Sequence, residues 1–400
     1  MEGVQKKRVL YFVPEFPRIS ETFIEREVSK LIDRGNLNIV VLSLNKAAGS
    51  TSEEVLKRVI YKRLGILDFL GGLSYLVTRT SKVVDAWELV RAERSNLYFF
   101  LKSLGYTKII ADLKPQHIHA HFLSWPSTTV LIASTVLDIP FSISAHARDV
   151  LMDGELITQK IKSAKFVSIC NSYAYNKALE IAGDGIDVSK VKLIYHGVDP
   201  KMFESPPKMP RWKVPAIFLG GTRLVEKKGL KYMIEASKIL RDKGIVHRVD
   251  LVGLGDLYSE LVKLIDDLEL RDVVFIHGQG KGTPFNEVLE YYKVADIFVL
   301  LGIETAAGDA DGVPTVVIEA AMANLPIIST NAGGITDLVE DGVTGIIVDQ
   351  KNPQAVANAI KSLLSDKTLA ERLSQNAYIK AVKMFDIDNN VGQLESLLLN

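Results

Sequence analysis

The sequence predicts an α/β protein made of two Rossmann-like, doubly wound domains that face each other across a cleft. Two series of short β-rich runs alternate with amphipathic helical segments, which is typical of parallel strands covered by helices on both faces. Between the series, residues 200–215 hold five of the 14 prolines, a composition that suits neither a helix nor a central strand. The length of 400 residues also fits about two domains. We interpret the proline-rich segment as the linker.

The first series predicts five strands with helices between them. Ile24, Val28, Leu31 and Ile32 recur at helical spacing after Ser20, a residue type that caps helices well. The predicted strands are residues 9–13, 38–44, 117–122, 141–144 and 166–170.

The second series predicts six strands, again separated by helical segments. Because ligands of doubly wound sheets bind at the carboxyl ends of the strands, we expect functional residues in the loops that follow them. The predicted strands are residues 216–219, 249–252, 273–276, 297–301, 327–329 and 345–348.

Charge and cysteine content exclude several classes of protein. The 48 basic and 48 acidic residues give no net charge, so we expect no nucleic-acid partner. The single cysteine, Cys170, is predicted to be a small buried residue without a disulfide, which fits a reducing cytosol. The apolar run at residues 9–13 is too short for a signal peptide and ends at Pro14, so we interpret it as the first strand.

The longest apolar window, residues 64–77, contains Asp68 and is shorter than the roughly 20 residues that a membrane-spanning helix needs. We therefore predict no transmembrane segment. Together with residues 97–101, this window forms either an insertion that rests on a membrane surface or a buried helical pair. The buried pair is the favoured interpretation.

A candidate anion site lies between two carboxylates, Asp311 and Glu319, which are separated by a loop and the start of a helix. Pro314 suits the first helical position, because its missing N–H would have no partner there. The free amides of Thr315 and Val316 would then lie at the positive end of the helix dipole, where phosphate binds. This arrangement suits a nucleotide sugar, with phosphate at the helix end and hydroxyls on the acids. The alternative is a capped helix with surface acids.

A second candidate phosphate site follows the first predicted strand of the second series. The paired glycines Gly220 and Gly221 permit close backbone approach, and Arg223 offers a fork for phosphate oxygens. Lys227 or Lys228 adds a point charge before the next helix. The alternative is a charged surface loop. Because the acid pair described above follows a later strand of the same sheet, we expect both loops to meet one diphosphate.

Two glycine-rich motifs lack the spacing of the sites they suggest. Gly253 and Gly255 follow a strand, but Tyr258 occupies the third glycine position of a dinucleotide-binding fingerprint. Lys281 is followed by Gly282, and the surrounding glycines do not have the spacing of a phosphate-binding P-loop.

Three alternating histidines, His117, His119 and His121, are predicted to project from one face of a strand, a geometry that can hold zinc. The sequence indicates neither a nearby cysteine nor a clear carboxylate partner for them. We therefore predict no metal site.

Several short motifs are distributed along nearly the whole chain. They are Phe16-Pro-Arg-Ile-Ser-Glu-Thr-Phe-Ile24, His119-Ala-His-Phe122, Ser144-Ala-His-Ala-Arg-Asp149, His196-Gly-Val-Asp199, the Arg223/Lys228 loop, Asp311 to Glu319, and Gly333-Gly334. Together they resemble the motifs of the retaining GT-B glycosyltransferases that use nucleoside-diphosphate sugars, numbered family 4 in sequence classifications. The first motif and residues 306–322 are most similar to transferases that build exopolysaccharide or colanic-acid-like polymers.

The resemblance implies a donor site residue by residue. Arg223 and Lys228 would neutralise the departing diphosphate without a metal. Glu319 would hold the ribose hydroxyls, and Asp311, where the family usually has Glu, would bind the transferred sugar. The loop at residues 277–278 would face the base. The implied donor-binding residues are Gly220, Gly221, Arg223, Lys228, Gly278, Asp311, Gly312, Val313, Pro314, Thr315, Val316 and Glu319.

The resemblance also implies catalytic and acceptor-side residues. His146 matches the family's cleft histidine, which is thought to contact the outer hydroxyls of the sugar; the alternative is an ordinary helix-cap or core histidine. The reaction implied is transfer with retention through an oxocarbenium-like state, by front-face attack assisted by the leaving phosphate. The implied catalytic residues are His146, Arg223, Lys228 and Asp311. The implied acceptor-side residues are Phe16, Ser20, Glu21, Thr22 and His121.

The same resemblance implies an acceptor-side domain at residues 1–205 and a nucleotide-sugar domain at residues 206–379, with residues 380–400 returning to the first domain. It implies a nucleotide-sugar donor, a glycan or lipid-linked acceptor, no cofactor and no metal. The location expected is the cytoplasm, with peripheral contact at the cytosolic membrane face. Two rivals stay open, namely a nucleotide-sugar epimerase of the same fold and a non-catalytic nucleotide-sugar-binding protein.

Overall fold

The protein is described by a computed structural model, which divides into two compact units. The model describes residues 6–18, 21–92, 96–206, 213–280 and 282–400. The first unit comprises Met1–Gly197 and Ile387–Asn400, and the second comprises Val198–Asp386. From the sequence, the domain boundaries are expected after residues 205 and 379. The boundaries between the compact units lie after Gly197 and after Asp386.

Seven strands, β1 to β7, belong to the first unit: Arg8–Phe16, Asn38–Lys46, Val59–Tyr61, His117–His121, Phe141–Ala145, Val167–Ile169 and Val191–Leu193. They form one parallel sheet in the order β3-β2-β1-β4-β5-β6-β7. All five strands predicted for this half are present. The two that the sequence did not predict, β3 and β7, are three-residue edge strands, so they lack the long apolar run of a central strand.

Helices cover both faces of this sheet. Alternate residues of β1 belong to two different core clusters, with Leu10 and Phe12 in one and Val9 and Tyr11 in the other. The helices α1 to α10 are Thr22–Arg34, Glu53–Leu56, Ile66–Leu73, Tyr75–Thr78, Thr80–Val90, Leu97–Asp112, Trp125–Leu137, Ala147–Leu151, Ile157–Ser163 and Ser172–Ala182. The last helix of the chain, α17, is Ile387–Leu399.

Helix α1 follows the predicted apolar pattern and packs against α17. Val28 and Leu31 share a core cluster with Val391 and Leu394 of α17. The helix begins at Thr22 with Glu21 in the cap position. The predicted cap, Ser20, lies outside the described residues, so the structure assigns it no role.

The apolar window after residue 64 forms a helical pair whose outer face stays exposed. Gly72 of α3 approaches α6 so closely that an added Cβ would lie 2.4 Å from the Leu104 backbone. Large apolar side chains nevertheless face outward, and Leu67 and Val77 are 84% and 83% exposed. In the described part of the chain, no helix combines the length and the apolar character needed to cross a membrane.

Six strands, β8 to β13, belong to the second unit: Ala216–Arg223, Arg248–Leu254, Val274–Gly280, Ile297–Leu300, Ile327–Thr330 and Ile346–Val348. They form a parallel sheet in the order β10-β9-β8-β11-β12-β13, and all six were predicted from the sequence. The helices α11 to α16 are Leu230–Asp242, Tyr258–Asp267, Phe285–Val294, Thr315–Met322, Pro353–Ser365 and Lys367–Phe385. Of the proposed linker, Pro200–Phe203 forms a 3₁₀ turn, and residues 207–212 lie outside the described residues.

Two local features of the second unit bring loops to the carboxyl edge of its sheet. The pairing of β8 with β9 shifts register between Gly220 and Thr222. Beyond this irregularity the two strands stay paired, and β8 ends at Arg223. Helix α14 begins at Thr315, with Pro314 in the cap position. The prediction that Pro314 is the first helical residue is therefore wrong by one position, because its extended ψ of 130° places it just outside the helix.

Candidate functional site

An ion-pair cluster joins two loops at the carboxyl edge of the second sheet. Lys228 Nζ lies 2.7 Å from Asp311 Oδ2. Lys227 Nζ lies 3.0 Å from Asp309 Oδ1 and 3.4 Å from Asp311 Oδ1. Both lysines are buried, whereas Arg223 is exposed at the end of β8. The cluster thus holds two amines and two carboxylates, and the exposed guanidinium group of Arg223 adds a further positive charge.

Burial and charge together determine protonation in this cluster. Burial lowers the pKa of Lys228 against the opposing effect of Asp311, and the charges of Lys227 and Arg223 lower it further. Burial raises the pKa of Asp311, but the charges of Lys228 and Lys227 outweigh burial and leave that pKa below its ordinary value. Asp311 is therefore ionised at neutral pH and holds Lys228 in place by charge as well as by hydrogen bonding.

Glycines bring these loops close to one another. Gly229 has a φ of 62°, and an added Cβ would lie 1.9 Å from the carbonyl oxygen of Leu301. Gly333 has a φ of 56°, and an added Cβ would lie 2.0 Å from the carbonyl oxygen of Asp311, which also accepts a hydrogen bond of 3.0 Å from the Gly334 amide. Only glycine fits these two positions without moving the backbone that carries the ion pairs.

Glu319 lies inside α14 and is 3% exposed. Tyr292 from α13 donates from its hydroxyl to Glu319 Oε2 at 2.9 Å, and this hydroxyl also lies 3.2 Å from the Val316 carbonyl oxygen. Gly221, at a φ of 67°, is adjacent, because a Cβ there would lie 3.3 Å from the Tyr292 hydroxyl and 3.2 Å from the Val316 side chain. The glycine pair is therefore a neighbour of the acid of α14, but it lies within β8 and not, as the sequence had predicted, after the strand.

The amino end of α14 can accept an anion. The first amides that bond to the Pro314 carbonyl oxygen are those of Val317, at 2.9 Å, and Ile318, at 3.4 Å. The amides of Thr315 and Val316 precede them and fall outside the hydrogen bonding of the helix itself. These two donors, the cations of the ion-pair cluster and the carboxylate of Glu319 together suit a ligand with phosphates and hydroxyls.

The structure changes the expectation for residues 277–278. His277 lies inside β10, not in a loop, and its Nε2 is 2.7 Å from Asp250 Oδ1. Arg248 contacts the same carboxylate with two nitrogens. This pairing fixes the orientation of the His277 ring. The backbone departs from regular strand geometry at Gly278 and Gln279, which have φ values of 77° and 46°.

In the first unit, three imidazole rings form a hydrogen-bonded chain at the carboxyl ends of β4 and β5. His121 Nδ1 lies 3.3 Å from His146 Nε2, and His146 Nδ1 lies 3.1 Å from His196 Nε2. Phe23 of α1 stacks on His196 with ring centroids 4.2 Å apart. Both ring nitrogens of His146 therefore have partners within this unit, and a sugar hydroxyl can reach either nitrogen only by replacing one of them.

Burial keeps His146 and His196 neutral. Burial is the main reason that the pKa of His146 lies well below its ordinary value, and the neighbouring His196 and His121 lower this pKa further. Burial also lowers the pKa of His196 to about 3, with contributions from His121 and Arg26. His146 is therefore a neutral hydrogen-bonding group in this structure and not a cation.

The acceptor-side residues implied by the resemblance have different environments. Phe16 is 1% exposed and packs in the core. Glu21 is hydrogen-bonded to Arg18 at 3.0 Å, and burial raises its pKa against the effect of that arginine. Thr22 is the first residue of α1, and His121 is fully buried in the chain of rings. Of the described residues in this set, only Glu21 and Thr22 remain partly exposed.

Two groups of potential metal ligands also lie in the first unit. They are Glu27 with His119 and His121, and Cys170 with His146 and His196, each with ligand atoms within 4.8 Å of one another. The expectation that the alternating histidines have no carboxylate partner is therefore wrong, because α1 brings Glu27 close to His119 and His121; Cys170 is grouped with two other histidines. Cys170 is free and buried as predicted, and burial raises its pKa to about 12.

Sequence reasoning missed several residues of these clusters. The sequence offered Lys227 or Lys228 as the point charge of the phosphate site, whereas both amines form ion pairs in the structure. Asp309, which pairs with Lys227, and Tyr292, which donates to Glu319, were not predicted. Glu27 was also missed. No local pattern marks these residues, because their partners lie far along the chain; the two adjacent lysines were the one available signal.

Comparison with known proteins identifies the class of this site. Residues 204–380, which span most of the second unit, match the family model described as glycosyl transferases group 1. The chain is similar to the amylovoran biosynthesis glycosyltransferase AmsK of Erwinia amylovora, with 34% identity over 43% of this chain and 42% of that protein. It is also similar to the putative colanic acid biosynthesis glycosyltransferase WcaL of Escherichia coli K12, with 26% identity over 88% of this chain and 89% of that protein.

Solved structures show the same fold. The Anabaena protein Alr3699/HepE, in complex with UDP and glucose, superposes with a TM-score of 0.69 and 16% identity, covering 98% of this chain and 99% of that one. The predicted GT-B fold with two Rossmann-like domains is confirmed by this likeness together with the two parallel sheets. The alignment with AmsK spans less than half of that relative.

Proposed function

We propose that this protein is a retaining glycosyltransferase that moves a sugar from a nucleoside-diphosphate sugar to a glycan or lipid-linked acceptor. The observation that carries the proposal is the cluster of Arg223, Lys227, Lys228 and Asp311 beside the amino end of α14, inside the region that matches the group 1 glycosyltransferase model. The names of AmsK and WcaL support a role in polysaccharide or glycoconjugate synthesis. The Anabaena complex with UDP and glucose supports a nucleotide-sugar donor.

In the proposed reaction, the bond between the anomeric carbon and the diphosphate breaks as the acceptor oxygen bonds to the same face of that carbon. The acceptor proton passes to an oxygen of the leaving diphosphate. Negative charge grows on the diphosphate as it departs, and Arg223, Lys228 and the free amides of α14 stabilise that charge. Because these donors already supply positive charge, we propose that no metal takes part.

The two acids have separate parts in this proposal. Glu319, held by Tyr292, binds the ribose hydroxyls that every donor shares. Asp311 binds the transferred sugar and keeps Lys228 in place by the 2.7 Å contact. The remaining glycines and apolar residues of the implied donor site, including Gly312 and Val313, shape the backbone around the ligand.

The test is a transfer assay with purified protein, a panel of nucleoside-diphosphate sugars and lipid-linked or glycan acceptors, in EDTA. We expect one donor to give a glycoside whose anomeric configuration, read by NMR, equals that of the donor. Inversion would contradict the retaining mechanism. Formation of an epimeric donor without acceptor would favour the nucleotide-sugar epimerase, and nucleotide binding without any product would favour the non-catalytic binding protein.

We also propose that the protein is cytoplasmic and meets a lipid-linked acceptor at the cytosolic membrane face. The exposed apolar side chains of α3 and α4, which include Ile66, Leu67 and Val77, support this contact. Flotation with phospholipid vesicles tests it. Leu67→Glu with Val77→Glu should abolish flotation, whereas Ile379→Glu, at a 56% exposed apolar residue of the second unit, should not. Equal flotation of all variants would remove α3 and α4 from the proposal.

A further inference from the structure

A partly buried carboxylate, with its side chain 14% exposed, lies at one end of the chain of three imidazole rings. Glu27 Oε1 is 3.4 Å from His121 Nε2 and accepts a hydrogen bond of 2.9 Å from the Tyr11 hydroxyl. Tyr11 and His121 are fully buried. Within the described residues, His121 Nε2 makes no hydrogen bond of normal geometry, so this carboxylate oxygen is the polar group that it faces.

An ionised carboxylate can only accept hydrogen bonds, and a neutral imidazole has one N–H and one bare nitrogen. If His121 turned a bare Nε2 toward Glu27, two acceptors would oppose each other at a ring nitrogen that is itself shielded from water. The favourable arrangement therefore puts the proton of His121 on Nε2. Its Nδ1 is then a bare acceptor directed at His146.

The same reasoning extends along the chain. Because His121 Nδ1 accepts, His146 must donate from Nε2, and its own Nδ1 is bare. His196 then donates from its Nε2 to His146 Nδ1. One carboxylate thus determines the position of the proton on three rings, since reversing any single ring would put two donors or two acceptors opposite each other.

We propose that Glu27 is a positioning residue that fixes the tautomers of His121, His146 and His196 and thereby the orientation of the His146 ring. The role in transfer rests on the proposed function and on the resemblance, which implies that His146 contacts the sugar; the tautomers themselves rest on neither. A consequence is that a sugar hydroxyl that replaces His196 at His146 Nδ1 meets an acceptor, and must donate.

The tautomers can be measured directly in the full-length protein. In ¹⁵N-histidine-labelled protein, two-bond proton–nitrogen spectra at neutral pH distinguish a protonated from a bare ring nitrogen, with assignment by single His→Gln variants. We expect Nε2–H for His121, His146 and His196. Nδ1–H on His146, or a doubly protonated His121 that donates from Nδ1, would overturn the proposal without any substitution.

Substitution of the carboxylate supplies the second test. Glu27→Leu removes the acceptor, so we expect Nδ1–H forms of His121 and His146 to appear, while the ring of His277 in the second unit is unchanged. Glu27→Asp should partly restore the wild-type tautomers. The matched control is Glu25→Gln on the same helix, whose carboxylate accepts from Thr51 instead and should leave all three rings as they are. Unchanged tautomers in Glu27→Leu would overturn the proposal.

Kinetics separate this proposal from the proposed function. Glu27→Leu should lower kcat at least tenfold and leave nucleoside-diphosphate affinity within twofold, because donor phosphates are assigned to the second unit. Changed tautomers with normal kcat would overturn the positioning role. Failure of the wild-type protein to bind any nucleoside diphosphate would instead contradict the proposed function and leave the tautomer measurement standing.

Discussion

Asp311 is the residue at which this chain departs most clearly from the pattern it resembles. The shorter acid lies 2.7 Å from Lys228 and 3.4 Å from Lys227, so it already compensates two buried amines before any ligand is considered. Glu319 is held differently, by the neutral hydroxyl of Tyr292 at 2.9 Å. Two acids that are eight positions apart in the sequence therefore have different electrostatic surroundings, and their variants should fail in different ways.

We predict that Glu319→Ala weakens binding of the nucleoside diphosphate alone by about 1.5–3 kcal/mol, the value of a hydrogen bond to a charged group. Asp311→Asn should leave that affinity nearly unchanged and depress transfer, and Asp311→Glu should alter the preferred sugar because the carboxylate moves by one methylene group. Calorimetry with the nucleotide and turnover with the intact donor make the comparison. If Asp311→Asn weakens nucleotide binding as much as Glu319→Ala does, the division of roles is wrong.

The pH dependence of Asp311→Asn follows from its ion pair. In the wild-type protein burial lowers the pKa of Lys228, and Asp311 opposes that effect. Without the carboxylate, the pKa of Lys228 falls further, so the amine loses its charge at a lower pH. We predict that the alkaline limb of the kcat profile moves to lower pH in Asp311→Asn. An unchanged alkaline limb would show that Lys228 is not the group whose charge supports transfer.

For the secondary-structure elements, the sequence pattern predicted the central strands well but did not predict the ion pairs between loops that are distant in the chain. All eleven predicted strands are present. The short edge strands Val59–Tyr61 and Val191–Leu193 were missed because lysines and arginines flank or interrupt their few apolar residues. The Lys227–Asp309 pair joins residues 82 positions apart. Such a pair depends on how two loops approach, and Gly229 and Gly333 control that approach through backbone geometry that spacing does not encode.

Gly333 offers a test of that control at the level of a single loop. An added Cβ would lie 2.0 Å from the Asp311 carbonyl oxygen, so Gly333→Ala must displace the backbone that carries this acid. We predict at least a tenfold loss of kcat. Gly342→Ala is the control, because Gly342 also has a positive φ, of 69°, but an added Cβ there would have no neighbour within 4 Å.

Both variants should lose about 1–2 kcal/mol of folding free energy from the left-handed backbone, as urea unfolding will measure. The loss of kcat should be confined to Gly333→Ala. Equal kcat in the two variants would mean that the position of the Asp311 backbone does not limit transfer.

At the scale of the whole molecule, the two units should respond differently to acid. In the first unit, burial lowers the pKa of His117 to about 3, helped by Lys7 and Lys165, and lowers the pKa of His196 to about 3. The unfolded chain has an ordinary histidine pKa of about 6.5. Between these values the unfolded state binds more protons than the folded state. Folding stability is therefore present above about pH 6.5 and is lost as the pH falls toward 3.

We predict that the first unit loses up to about 1.4 kcal/mol of folding stability per pH unit for each such histidine below pH 6.5. Hydrogen exchange at pH 5.0 and 7.0, corrected for intrinsic rates, should show loss of protection in β4 and β5 before β9 and β11. His117→Gln should reduce this pH dependence, and His277→Gln in the second unit should not. Uniform acid sensitivity of both sheets would contradict the assignment to buried histidines.

The most direct test of the donor site is the transfer rate of three variants in the presence of EDTA. Arg223→Ala and Lys228→Ala should each lower kcat about a hundredfold or more with the fold intact, because these cations stabilise charge that grows as the diphosphate departs. Lys231→Ala, at an exposed lysine of α11, should leave kcat unchanged, and wild-type activity should survive the chelator. Near-normal kcat in both Arg223→Ala and Lys228→Ala, or activity abolished by EDTA and restored by manganese, would contradict a metal-free phosphate site at these residues.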